Sequence, residues 1–338
     1  MRIGVVGATF LFFAIASQAV ADPAYVIKLG TSTPVGTEQA RIEEEMARAI
    51  YEKTSGKVKV VWYMGAVLGD DVDQIRKTHL GQIDGGGWLG MGLTQIVKEI
   101  ALLESPFFFN LTLDDFSEVD CTLKGTLPLY QKLFQDKGFV LVDWYQHGPG
   151  FFLFKRPVER LEDLQQFRVW LWPGYPVFEQ FIRAVGIGNP VGIPLPEVLT
   201  SLQTGVIETS AGAPFALVAL QWYTEANYIF DTPLLFVTAA LVIKKSKLDA
   251  MPEPVRQQVF DYLHSSAPSM VASMRRADKV SYEQLIQHGL RRFSDPKILE
   301  EVKRKSQKVY ENMIGKDYSR EFYEQVVSIR DQCRATVH

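Results

Sequence analysis

The sequence predicts an α/β protein of two domains joined by crossing strands, with a helical C-terminus. Three observations carry this reading. A chain of 338 residues, 47% of them apolar, is long enough for more than one core, and its length suggests two domains. Short apolar strands alternate with stretches of helical spacing along most of the chain, the pattern of sheets covered by helices. No internal repeat or low-complexity tether separates the halves, so strands must join them. The formal net charge is −3, and no long basic run occurs, which gives nucleic acid nothing to bind.

At the N-terminus, Arg2 precedes an uncharged apolar run from Ile3 to Ile15, and Ala19-Val20-Ala21 has the form of a cleavage site. Residues 1–21 therefore read as a secretory signal peptide, too short for a membrane span. Cys121 and Cys333 would then reach an oxidising compartment. A bridge is permitted there, and two free thiols fit the sequence equally well.

Tyr25–Leu29 reads as the first strand and Gly30–Pro34 as a loop. A helix over Ala40–Thr54 carries Ile42, Met46, Ala49 and Ile50 on one face. Val58–Tyr63 alternates as a second strand. Leu68-Gly69-Asp70-Asp71 opens another helix, with its acids at the positive end of the dipole. Gly85-Gly86-Gly87-Trp88-Leu89-Gly90 fits the spacing G-x-G-x-x-G. A dinucleotide site needs that motif in the first turn of a long βαβ unit, whereas here it follows a helix. The expectation is instead a backbone passing close to something, with Trp88 and Leu89 facing it.

Leu102–Phe109 reads as a strand or turn region, Asp114–Asp136 as helical and Phe139–Tyr145 as a strand. His147-Gly148-Pro149-Gly150 breaks the chain and is the candidate first crossing; His147 itself reads more readily as structural than functional. Phe151–Phe154 continues as a strand. Then comes the most patterned stretch, Leu161–Pro214. Phe167–Leu171 is a strand, Pro176–Val185 a helix stopped by Gly186, and Asn189–Leu195 an extended piece. Leu195–Leu202 is a helix ended by Gly205, and Val206-Ile207 starts another strand. That βαβαβ run predicts a parallel sheet. Phe215–Tyr223 reads as a helix, Thr232–Ile243 as one long apolar strand, and the remainder as helices over 252–294, 296–315 and 318–329.

No H-E-x-x-H, G-x-S-x-G or P-loop occurs, and the five histidines show no zinc spacing. The expectation is no catalytic set, no metal and no cofactor: a protein that captures a small molecule. A secreted α/β enzyme whose residues converge only in space is the competing class.

Asp163-Leu164, the strand after it, the run E-V-L-T-S-L-Q-T-G-V-I-E (Glu197–Glu208), L-G-D-D at 68–71 and the G-x-x-D turn at 81–84 resemble the solute-binding proteins of TRAP (tripartite ATP-independent periplasmic) transporters, DctP type. The resemblance implies a periplasmic location and the two-domain periplasmic binding protein fold. Domain I would take 25–147 and 238–277, and domain II 148–237 and 278–331. It implies a small-molecule ligand and TRAP membrane permease subunits as partners. Relatives with apolar clefts add a TPR-type periplasmic partner.

In that family an arginine clamps the ligand carboxylate. Counted from Asp163-Leu164, its position falls on Trp170. The family's Asn-Pro becomes Ala213-Pro214, and Leu89 stands where a polar residue is usual. Trp88, Leu89, Trp170, Trp172, Ala213, Phe215 and Trp222 are thus expected around a largely hydrophobic or amphipathic ligand. Arg168, two residues before Trp170 on the strand, is placed to meet an acid head. The alternative is a conventional small organic acid held by Arg168.

Overall fold

The computed structural model describes residues 22–145 and 148–337; the signal segment and His147 lie outside them. The first part of the chain runs β1 (Tyr25–Thr31), α1 (Glu38–Lys53), β2 (Val58–Tyr63), α2 (Asp71–His79), β3 (Gly85–Leu89), α3 (Gly90–Leu93), α4 (Ile100–Leu103), α5 (Ser117–Asp136) and β4 (Phe139–Trp144). Both early helices begin at side-chain caps. Thr37 accepts the Ala40 N–H and Asp70 accepts the Asp73 N–H, each satisfying a donor that the first turn leaves free. Leu102–Phe109, expected as strand or turn, is turn over residues 104–109, after Leu102 and Leu103 end α4.

The middle part runs β5 (Gly148–Phe154), β6 (Arg168–Leu171), α6 (Pro176–Val185), β7 (Asn189–Gly192), α7 (Val198–Gln203), β8 (Thr209–Gly212), α8 (Pro214–Ala219), β9 (Tyr228–Phe230) and β10 (Leu235–Val237). The last part is β11 (Ala239–Lys244), α9 (Lys245–Asp249), α10 (Glu253–Gln287), β12 (Arg291–Phe293), α11 (Pro296–Met313) and α12 (Arg320–Val337).

These strands form two larger sheets. One has the order β2-β1-β3-β11-β4, parallel from β2 to β3, with β11 antiparallel to β3 and β4. The glycine run is its central strand β3. A Cβ on Gly85 would lie 2.2 Å from the Val242 carbonyl oxygen, and one on Gly86 would lie 2.4 Å from that of Gly30. Backbone approach on both sides thus requires glycine. The second sheet has the order β10-β5-β9-β12, with β8 also on β5.

The expected parallel βαβαβ unit is only half formed. β6 and β7 pair in parallel, but β8 leaves them to run antiparallel to β5. Glu208 marks the switch: its N–H donates to the Arg168 carbonyl at 2.8 Å, and the next residue begins the β5 ladder. The Thr232–Ile243 strand is likewise two strands, β10 in the second sheet and β11 in the first, broken at Thr238. Phe215–Tyr223 is short α8 followed by a 3₁₀ turn, because Gln221 takes a left-handed φ of 58°.

The chain therefore crosses between the sheets after β4 and again at Thr238. The 35-residue α10, roughly 50 Å long, bridges them a third time, packing on α1 and β4 and also on α8 and β5. The expected boundary at 277/278 falls inside this unbroken helix. The C-terminal assignment also needs correction: α12 packs on α5 of the first part. Cys121 and Cys333 bond the two helices, and Arg334 reaches the buried Glu118 at 2.7 Å.

Thr238 is held by Glu104, which is 1% exposed. Glu104 Oε1 accepts the Thr238 N–H at 2.7 Å and its hydroxyl at 2.8 Å. Oε2 accepts the hydroxyl of Tyr175, from the turn before α6, at 2.6 Å. A Cβ on Gly90 would lie 2.2 Å from this carboxyl. Burial pushes Glu104 up to about 7 despite these donors.

Two outcomes follow. The bridge closes a separation of 212 residues, so Cys121→Ser with Cys333→Ser should lower stability by about 2–5 kcal/mol, measured by urea unfolding. Reduced wild type should match the double variant. Glu104 is raised from an ordinary 4.5 to about 7, so the folded state binds more protons between those values. Its contribution to stability therefore falls as pH rises through that window. Glu104→Gln should flatten the stability difference between pH 5 and pH 8, by on the order of 1–3 kcal/mol. An unchanged slope would show that Glu104 does not titrate there.

Candidate ligand site

A cavity of about 150 Å³ lies between the two sheets, lined from both sides. The first part contributes the β1–α1 loop (Thr31, Ser32, Thr33), Gln39 and Glu43 of α1, Asp71 at the start of α2, and Gly87 and Leu89 of β3. The middle part contributes Phe152, Trp170, Trp172, Tyr175, Phe178, Ala213, Phe215 and Trp222. Glu104 and Val237 line it near the second crossing.

One wall is aromatic. The Trp170 and Trp172 rings lie 5.8 Å apart, and Trp222 meets Trp170 edge-on at 5.0 Å. Their polar edges are tied to the protein: the Trp170 indole N–H donates to the Ile193 carbonyl at 2.9 Å, and that of Trp172 to Asp70 at 3.2 Å. The rings thus offer largely apolar surface to the cavity.

The opposite side holds carboxyl groups. Ser32 donates to Asp71 Oδ1 at 2.7 Å, and the Leu89 N–H donates to Oδ2 at 2.8 Å. Asp71 is fully satisfied, and burial pushes it up to about 6. Glu43 Oε1 accepts the hydroxyls of Thr33 (3.0 Å) and Thr31 (3.4 Å) and the Gln39 amide (3.5 Å). Burial raises Glu43 to about 7. No lysine or arginine lines the cavity among the described residues.

The sequence-predicted residues Leu89, Trp170, Trp172, Ala213, Phe215 and Trp222 come together here. Two others do not. Trp88 points to the other face of β3, as strand alternation requires; it is 0% exposed and its indole donates to Gln74 at 3.0 Å. Arg168 stays outside. Its side chain donates to the Gly205 carbonyl at 2.9 Å and pairs with Glu208 at 3.4 Å, half exposed at the surface end of β6. Sequence reasoning missed Glu43, Glu104, Tyr175, Phe152 and Phe178. A signal existed for two of them: Glu43 sits on the apolar stripe Ala40, Met46, Ile50, and Glu104 is the lone charge in L-L-E-S-P-F-F-F.

Residues 29–317 match the family model DctP, bacterial extracellular solute-binding protein family 7. A solute-binding protein of Chromohalobacter salexigens is 25% identical over 249 residues, 73% of each chain. Among solved structures, the sugar acid binding protein of Advenella mimigardefordensis in complex with galactonate superposes with a TM-score of 0.83. It is 16% identical, covering 92% of this chain and 99% of that one. A TRAP periplasmic solute-binding protein of C. salexigens with bound D-glucuronate gives 0.81 at 22% identity, covering 91% and 99%. The chain belongs to the DctP family of bacterial extracellular solute-binding proteins, family 7, and is a binding protein rather than an enzyme.

Proposed function

We propose that the chain captures a small, largely hydrophobic organic molecule between its two sheets and delivers it to the membrane subunits of a TRAP permease. One observation carries this reading: the cavity has an aromatic wall and no lysine or arginine in its lining among the described residues. A carboxylate buried there without a cation would go uncompensated, which costs several kcal/mol. An apolar body gains about 1.5–3 kcal/mol for each side chain's worth of surface it removes from water. The size is also informative, since a cavity of about 150 Å³ matches one that holds a benzene-sized molecule. Export by the 1–21 signal and closure of the two lobes about the crossing strands belong to the same reading. A TPR-repeat partner is a second delivery route, resting on the apolar lining alone.

The solved relatives carry galactonate and D-glucuronate, so the organic-acid reading is the one to test against. In a thermal-shift and calorimetry panel, aromatic and branched aliphatic compounds should bind, while D-glucuronate and galactonate should not. Trp170→Phe should weaken the best apolar binder by roughly threefold to tenfold, and Arg168→Ala should leave it unchanged. Tight binding of a sugar acid, lost in Arg168→Ala, would overturn the proposal.

A further inference from the structure

Resting on that reading, we infer that the ligand's polar end is a cationic amine, received by Glu43 with Gln39 beside it. The three acids lining the cavity are not equivalent. Asp71 has a donor on each oxygen, and so has Glu104. Glu43 gathers its donors on Oε1, and Oε2 is left buried without a partner among the described residues. The residue is 2% exposed, and it lines the cavity.

Gln39, one helical turn earlier, repeats the pattern. Its amide nitrogen is turned to Glu43 Oε1, while its Oε1 is buried without a partner among the described residues. Two residues of the cavity lining thus each carry a buried oxygen without a donor among the described residues. A buried acceptor with nothing donating to it costs more than the hydrogen bond it lacks, so a ligand that supplies donors there gains twice. A protonated amine carries up to three N–H donors and a positive charge, which suits two acceptors one turn apart.

Charge points the same way. Burial raises Glu43 against the Thr33 and Thr31 hydroxyls and the Gln39 amide, with the Glu44 carboxylate adding to the rise, and no lysine or arginine lines the cavity among the described residues. An ammonium would be the first positive charge to offset it. The tryptophan wall opposite also accepts cations on its ring faces, an attraction that strengthens when water is excluded. A carboxylate head would instead meet the Gln39 oxygen, which donates nothing, and repulsion from Glu43 wherever that group is ionised.

The test uses one apolar body with three heads: 2-phenylethylamine, 2-phenylethanol and phenylacetate, titrated calorimetrically into the mature protein at pH 7. The amine should bind about tenfold or more tightly than the alcohol, and phenylacetate weakest. Glu43→Gln keeps an acceptor but removes the charge, so it should erase the amine's advantage and leave the alcohol within about threefold. A merely structural Glu43 would weaken both equally. Should Glu43→Gln not fold, the wild-type order alone decides. Preference for phenylacetate or the alcohol overturns the amine assignment while leaving the apolar pocket standing; binding by none of the three overturns both.

Discussion

Glu104 is the constraint on which the arrangement of the two sheets depends. It rises from α4 in the first part of the chain and accepts both donors of Thr238, the residue at which β10 of one sheet becomes β11 of the other. Its second oxygen accepts from Tyr175 in the middle part. A single carboxyl thus fixes a crossing point and ties both sides of the cavity to it. The backbone makes room: Gly90 must be glycine because a Cβ would strike this carboxyl, and the Gly90 N–H donates to the Thr238 carbonyl at 2.9 Å. A group so placed is anchored at low cost while neutral and at rising cost once ionised, because burial outweighs its donors.

Asp71 plays the corresponding part at the β1–α1 loop. Ser32 and the Leu89 N–H hold its two oxygens, so β1, α2 and β3 meet at one carboxyl. The loop serves two acids at once. Ser32 turns to Asp71 while its neighbours Thr31 and Thr33 turn to Glu43. Consecutive residues of an extended segment point to opposite sides, so alternation lets three hydroxyls organise two carboxyls. Of the three acids that line the cavity, Glu43 alone has an oxygen without a donor among the described residues, and the proposed binding role rests on that difference.

How much of this could be read from the sequence follows from the physics of each signal. Helices α1, α2 and α6 were legible because their caps, apolar periodicity and Gly186 stop are local. The two-strand split of 232–243 was not, because Leu235–Val237 and Ala239–Lys244 are equally apolar and only the distant Glu104 marks the break. β8 was placed too early for a similar reason. Ile207 is fully buried like a strand residue, yet the ladder partner is β5, whose position no local pattern reveals. At the site, the aromatic residues were found by their type and Leu89, Trp170 and Ala213 by resemblance. Trp88 was misplaced by one strand position, which reverses the face. Arg168 was misplaced despite correct alternation, since a long side chain at a strand end follows its carboxylate partner, here Glu208.

The fate of Arg168 and Trp170 together explains why the cavity chemistry departs from an arginine clamp. Trp170 fills the position with a buried ring whose one donor is already spent on Ile193, so it offers a bound anion neither charge nor hydrogen bond. Arg168 is committed elsewhere: leaving the surface would break its bond to Gly205 and its pair with Glu208. On the facing side the available groups are carboxyls, with no cation in the lining among the described residues. A lining without a lysine or arginine and a buried acid with one unpartnered oxygen disfavour an anion together, among the described residues. Under the proposed reading, the sign of a ligand's charge would be discriminated before its shape.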